Sequence, residues 1–341
     1  LNTLLADRDH CRILGDTAVV CWAENASPSY SSLGMMAMFG IPENHGLTED
    51  DLSKALDSLA KGQPCSWMGE DLQPGQHFYV LGLSPNAARI SVRFFLRDTF
   101  QVFAQRLQRY AEDITVIHPA FDKRETLSVW SLVQETVNQN SRDKKPSSQL
   151  AGDVLRSILT GTPYPATLLN GAELRIRAEQ TITRGRAAII RAYYRRHPHP
   201  QVPKEVLDMP ELNVACNDIP YTLGRMFSLY EQIQLAAAKA NSSNINATIK
   251  DRYFNAASSN PSQVFNLLGK LSVSHLRVLR RSNSKLAGSL QGQLEELSIR
   301  VGTSYPPHLD PASQGSFQLG YYYQNQARFQ KKAPADSTEN V

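Results

Sequence analysis

In AELRIRAEQTITRGRAAIIRAYYRRH, Arg177, Arg184, Arg191 and Arg195 recur at intervals of seven, seven and four, which sets them on one narrow face of an α-helix. Ile182, Ile189 and Tyr193 fall opposite. PSQVFNLLGKLSVSHLRVLRRSN repeats the seven-and-four spacing with Lys270, Arg277 and Arg281, adds Arg280 beside the row, and sets Val264, Leu268, Leu271 and Val278 across the helix. Each helix buries an apolar stripe and presents a row of cations with few compensating acids, a geometry that can follow a phosphate backbone. The same pattern also suits an ordinary solvated helix face.

Two further groups join these rows. In IKDRYFNAASSNPSQVF, Lys250 and Arg252 stand beside Tyr253 and Phe254, ahead of a run of Asn and Ser; cations beside rings and amides are the ingredients of single-strand contacts, and equally of plain loops. Arg89 and Arg93 project from one face of a strand near Asn86, where a sheet surface can simply be solvated.

Other chemistries lack their signatures. The chain has no GxxxxGK[ST] phosphate loop, no HExxH zinc pair and no GxSxG nucleophile turn. His197 and His199 are separated and followed by prolines, with no cysteine or carboxylate close by, so they read as linker rather than as a metal site. His275 falls on the apolar side of its helix and Cys21 inside an apolar run, both as core residues. Asp50 and Asp51 sit in a first helical turn, where negative charge favours the helix dipole. No metal, cofactor or catalytic residue is expected.

The elements that position these groups follow from periodicity. TAVVCWA (17–23) reads as a buried strand, and HFYVLGL with RISVRFF reads as an antiparallel pair joined at Pro85 and Asn86. In the last strand Arg89, Ser91 and Arg93 should share one face and Ile90, Val92 and Phe94 the other. Thr48 caps a helix carrying Leu52, Leu56 and Leu59, and residues 98–112 set Phe100, Phe103, Leu107 and Tyr110 at helical spacing. Helices then dominate, at 220–240, 245–257, 260–281, 285–300 and 311–330. In the last, Asp310 caps, Phe317 and Tyr321 to Tyr323 point rings in several directions, and Gly320 permits close approach of a neighbour. The fold class is α+β: a small antiparallel sheet with helices first, then a mainly helical chain ending in a helical bundle. The divisions are 1–137, a mixed α/β region; 138–205, a polar linker and arginine-rich helical segment; and 206–341, the bundle.

With 36 Lys and Arg against 32 Asp and Glu, the net charge is only +4, so a nucleic-acid surface has to come from local clustering. Cys11, Cys21, Cys65 and Cys216 form no CxxC pair or regular framework, as suits thiols in a reducing cytoplasm. No apolar run is long enough to span a bilayer. The start at Leu1 rather than Met suggests a piece of a longer product.

Six stretches together resemble one family: GDTAVVCWAE, FYVLGLSPNAARISVRFF, RAAIIRAYYRR, YTLGRMFSLYEQIQ, IKDRYFNAASSNPSQVF and SQGSFQLGYYYQNQ. They are similar to the large subunit of the type I-C CRISPR surveillance complex, Cascade. The resemblance implies a non-catalytic, prokaryotic, cytoplasmic subunit. Its implied partners are a guide RNA, target double-stranded DNA and its displaced strand, the backbone, guide-processing and small subunits of Cascade, and a nuclease-helicase. It further implies a part in recognising the protospacer-adjacent motif and in antiviral defence, with sequence read by guide pairing. The family's N-terminal region, which carries much of the motif-reading surface, would precede Leu1, so no base-reading residue is assigned. The C-terminal module resembles the small subunit, which the family often translates from an internal start; Met226 stands at the head of this module. On this reading Arg177, Arg184, Arg191, Arg195, Lys250, Arg252, Lys270, Arg277, Arg280 and Arg281 are phosphate contacts, with Arg89 and Arg93 as weaker candidates. The alternative is a scaffold subunit that binds mainly neighbouring proteins.

Overall fold

A computed structural model describes residues 9–42, 45–122, 127–142, 144–242 and 244–329. The fold is α+β, with a small antiparallel sheet early in the chain and helices afterwards. It divides into two compact units. The first holds the described residues up to Thr115, those from Leu127 to Thr181, and Ala188 to His197; the second holds Val116 to Asp122, Ile182 to Ala187, and the chain from Pro198 on. The sheet and residues 148–181 thus belong to one unit, a grouping that cuts across the 137/138 and 205/206 divisions.

In the first unit, β1 (Cys11–Leu14), β2 (Thr17–Ala23), β5 (His77–Asn86) and β6 (Arg89–Thr99) form an antiparallel sheet in the order β1-β2-β5-β6. β3 (Cys65–Trp67) and β4 (Glu70–Leu72) make a separate hairpin. The expected strands are present. The β5–β6 turn, however, lies at Ala87 and Ala88, because pairing continues through Pro85 and Asn86, and Ala87 takes the left-handed backbone (φ 52) that closes the loop.

A bulge opposite Gly82 and Leu83 leaves Arg93 as the extra residue of β6, since Phe94 pairs with Gly82 and Val92 with Leu83. The expected apolar face of β6 is thereby split. Phe94 turns into the core, while Ile90 and Val92 turn out to solvent. On the core side, Phe78 meets Phe100 and Phe103 edge to face at 4.8 and 5.3 Å. These rings belong to α3 (Phe100–Ile114), and α1 (Pro28–Phe39) packs on the same side, its Gly34 lying against the Phe78 ring. α2 (Glu49–Ala60) starts in a capping box in which Asp51 accepts from the Thr48 backbone N–H and Thr48 Oγ1 accepts from Asp51 N. α4 (Val129–Gln134), α5 (Ser148–Thr160) and α6 (Ala166–Glu179) complete this unit, joined by residues 188–196 of α7 (Arg184–Arg196).

The second unit contains α8 (Lys204–Leu207), α9 (Ile219–Ala240), α10 (Ile249–Ser259), α11 (Pro261–Ser282), α12 (Ser284–Val301) and α13 (Pro311–Ala327). The five longer helices match the expected ones closely; the last expected residue of α13, 330, lies outside the described residues. α9 is the central helix, and Asp218 caps it by accepting from Tyr221 N at 3.0 Å. Met226 lies inside α9, two turns beyond this cap, and is fully buried. α13 crosses α9 at two glycines. A Cβ on Gly224 would overlap the Phe317 carbonyl, and one on Gly320 the Tyr221 carbonyl, so the backbones meet directly. Around the crossing Phe227, Phe254, Phe317 and Tyr321 pack with centroids 5.6–6.1 Å apart, and Tyr321 donates to Glu231 Oε2 at 2.6 Å. No described helix is long and apolar enough to cross a membrane.

Candidate nucleic-acid interface

α11 is amphipathic by sequence. It buries Val264, Phe265, Leu268, Leu276 and Leu279 against the bundle and leaves Lys270, Arg277, Arg280 and Arg281 exposed. Its twenty-two residues include no Asp or Glu. At 1.5 Å per residue, Lys270 and Arg277 are separated by about 10 Å along the axis, and Arg277 and Arg281 by about 6 Å. Among the described residues, no carboxylate lies within ion-pair distance of Lys270, Arg277 or Arg281. Arg280 is the exception in the row, because it donates to Gln291 Oε1 on α12. Arg280 and Arg281 also occupy the last turn, where cations are favoured by the helix dipole. His275 is half-buried on this helix, and burial lowers its pKa, so it stays neutral and adds nothing to the row.

On α10, Arg252 is exposed and Lys250 half-buried. The neighbouring Asp251 is held low by the Thr248 backbone and hydroxyl in a second capping box, so its charge is used at the helix start. Phe254 is buried in the aromatic cluster and Tyr253 half-buried; of this group the rings serve mainly the core.

The arginine row of residues 177–195 requires correction. It does not lie on one helix: α6 ends at Glu179 with Gln180 in the left-handed region, and α7 begins at Arg184. Nor does it face solvent without compensating groups. Arg177 pairs with Glu173 one turn earlier at 3.3 Å, and Arg184 with Asp122 at 3.1 Å. Arg191 is 3% exposed, and its Nη1 donates to the carbonyls of Glu112, Asp113 and Thr115 at 2.6, 3.1 and 3.1 Å. Arg195 Nε reaches Asp113 Oδ1 at 3.0 Å, and Arg196 Nε reaches Asp113 Oδ2 at 2.6 Å. Arg196 also donates to the carbonyls of Ser157 and Thr162 and lies 4.2 Å over the Tyr164 ring. Arg191, Arg195 and Arg196 tie α7 to the carboxyl ends of α3 and α5, where backbone carbonyls concentrate partial negative charge. The acid that organises them, Asp113, is about eighty residues away in sequence, so spacing along α7 gives no sign of it.

Arg89 is exposed at the β5–β6 turn, whereas Arg93 donates from Nε to Ser84 Oγ and its carbonyl accepts from Arg156. His197 stacks on the Tyr193 ring at 4.0 Å and contacts the Tyr193 carbonyl through Nδ1 at 3.0 Å, while His199 sits in an isolated bridge with Val202. Among the described residues no group of three His, Cys, Asp or Glu side chains gathers to hold a metal. Cys21 is buried with its Sγ 3.4 Å from the Ser31 carbonyl, and burial pushes its thiol well up. None of the four cysteines is in a disulfide.

The family model described as CRISPR-associated protein (Cas_Csd1) matches residues 1–329. The chain belongs to this family. Cas_Csd1 proteins are the large subunits of the type I-C system, so this chain is a CRISPR-associated large subunit that works with other CRISPR-associated proteins and nucleic acid. No curated protein matches the chain. In this Cas_Csd1 chain, α11 presents an exposed row of cations on a helix without Asp or Glu.

Proposed function

We propose that the chain is a non-catalytic subunit of type I-C Cascade in the prokaryotic cytoplasm and contacts phosphates through the exposed face of α11. The carrying observation is the row Lys270, Arg277 and Arg281, open to solvent on a helix without a single acid. Such contacts position nucleic acid without reading its sequence, which the guide RNA reads by pairing. Arg252, Lys250 and Arg89 extend the candidate set. The missing phosphate-loop, zinc-hydrolase and nucleophile-turn motifs argue against those chemistries alone; the Cas_Csd1 membership supports a non-catalytic role with parts in protospacer-adjacent motif recognition, displaced-strand stabilisation and nuclease-helicase recruitment.

Charge reversal distinguishes this reading from a scaffold. In the reconstituted complex, Arg277→Glu with Arg281→Glu should lower target-DNA affinity at least tenfold while size-exclusion chromatography still returns the intact assembly. Unchanged affinity with a dissociated assembly would make these residues protein contacts instead.

A further inference from the structure

The sheet of the first unit is apolar on both faces. Directly opposed residues share a face, so the register sets Ile13, Ala18, Leu83 and Val92 in one outward row. The next two rows are Cys11, Val20, Leu81 and Phe95, of which Cys11 is buried, then Trp22, Tyr79 and Arg97. Ile90 extends the surface opposite Pro85. Four of these residues are strongly exposed: Ile90 at 64%, Val92 at 63%, Phe95 at 54% and Ile13 at 51%. An antiparallel sheet with one face in water ordinarily alternates apolar and polar residues; apolar residues on both faces belong to sheets covered on both sides. The inward face of this sheet carries α1 and α3, while its outward face exposes those four residues.

The chemistry of the face selects its occupant. Trp22 and Tyr79 stack on one another at 5.3 Å and 7°, with Phe95 beside them at 6.3 and 6.2 Å. Trp22 and Tyr79 each give one face to the other and Phe95 lies beside both, so the rings pack as one cluster rather than standing apart as platforms for successive bases. The remaining surface is aliphatic. Its charge is Arg97, exposed with its guanidinium 5.7 Å from the Tyr79 ring, and no outward position of the four strands carries a carboxylate. A second copy of the face would offer Arg97 no counter-charge. Trp, Tyr, Phe and Arg beside aliphatic surface are the composition of protein-binding hot spots.

We propose that this outward face docks a helix of a partner protein, the helix laying an apolar stripe across Val92, Phe95 and Ile90 and setting a carboxylate against Arg97. The surface lies apart from α11 in sequence and chemistry, and the proposal does not rest on the phosphate contacts assigned there.

The test is site-specific photocrosslinking with p-benzoylphenylalanine at position 95 and, separately, at position 92, both exposed enough to accept it. The full chain is produced together with the CRISPR-associated proteins encoded beside it, and the crosslinked peptides are sequenced by mass spectrometry. The expected adduct is a helical segment of another protein with apolar residues at three- and four-residue spacing and an Asp or Glu among them. Arg97→Glu should lower its yield about tenfold or more, and Arg97→Lys should largely restore it, with circular dichroism unchanged. Adducts to nucleic acid, to this chain itself or to a second copy would overturn the proposal. So would the lack of any adduct at both positions, or a yield indifferent to Arg97→Glu.

Discussion

Asp113 is 2% exposed, and its carboxylate takes Arg195 on one oxygen and Arg196 on the other, with Tyr164 donating at 3.2 Å. Removing that acid leaves the buried guanidinium of Arg196 without a counter-charge. Asp113→Ala should lower the unfolding free energy by about 3–5 kcal/mol, the cost of breaking a buried ion pair from one side. Urea denaturation measures it, and a loss below 1 kcal/mol would show that the network contributes little. Asp218, the cap of α9, makes a second test. Burial raises its carboxyl from the ordinary 3.8 to about 6, against the smaller lowering effect of the Tyr221 N–H. The folded state therefore holds this proton over a range where the unfolded chain has released it. The contribution is complete below about pH 4 and is lost as pH rises through about 6, a change of at most about 3 kcal/mol. Asp218→Asn keeps an acceptor for the cap and removes the titration. Its stability should fall less than the wild type's between pH 4 and 7, and parallel pH profiles would contradict this.

At the scale of elements, the crossing of α9 and α13 depends on Gly224 and Gly320. Gly320→Ala forces a methyl group into the Tyr221 carbonyl, so the helices must separate; a loss of about 1–3 kcal/mol or more is expected from overpacking, read as a lowered thermal midpoint. An unchanged midpoint would mean that the crossing yields freely. The close approach at Gly320 was legible in the sequence because a glycine between rings has few other uses in a helix. So were α2, α3 and the bundle, whose apolar residues recur with helical period, with the caps Thr48 and Asp310; the caps Thr99 and Thr248 emerge only in the structure. α1 escaped notice because it is buried on nearly every side, which erases the period. The bulge at Arg93 escaped because one extra residue reverses the faces of β6 without changing its composition. The module boundary also differs physically from Met226: a product starting there would lack the Asp218 cap, Tyr221 and Gly224, and with them half of the α9–α13 crossing.

Across the whole molecule, a net charge of +4 conceals an uneven use of cations. In the first unit Arg191, Arg195 and Arg196 hold helix ends together; in the second, Lys270, Arg277 and Arg281 stand in solvent. The two rows share a seven-and-four spacing, so sequence could find both and could not rank them. What separates them is the distant Asp113 and the helix-end carbonyls, which only folding brings to α7. Neutralisation of phosphates by the α11 row is the proposal on which the assigned function rests. It is tested most directly by measuring target-DNA affinity of the reconstituted complex from low to high salt, for the wild type and for the Lys270→Glu, Arg277→Glu, Arg281→Glu variant. Loss of three phosphate contacts should weaken binding and make the slope of log affinity against log salt shallower by about 2–3, with the assembly intact. Superimposable lines for the two proteins would contradict the account and return the α11 row to solvated surface.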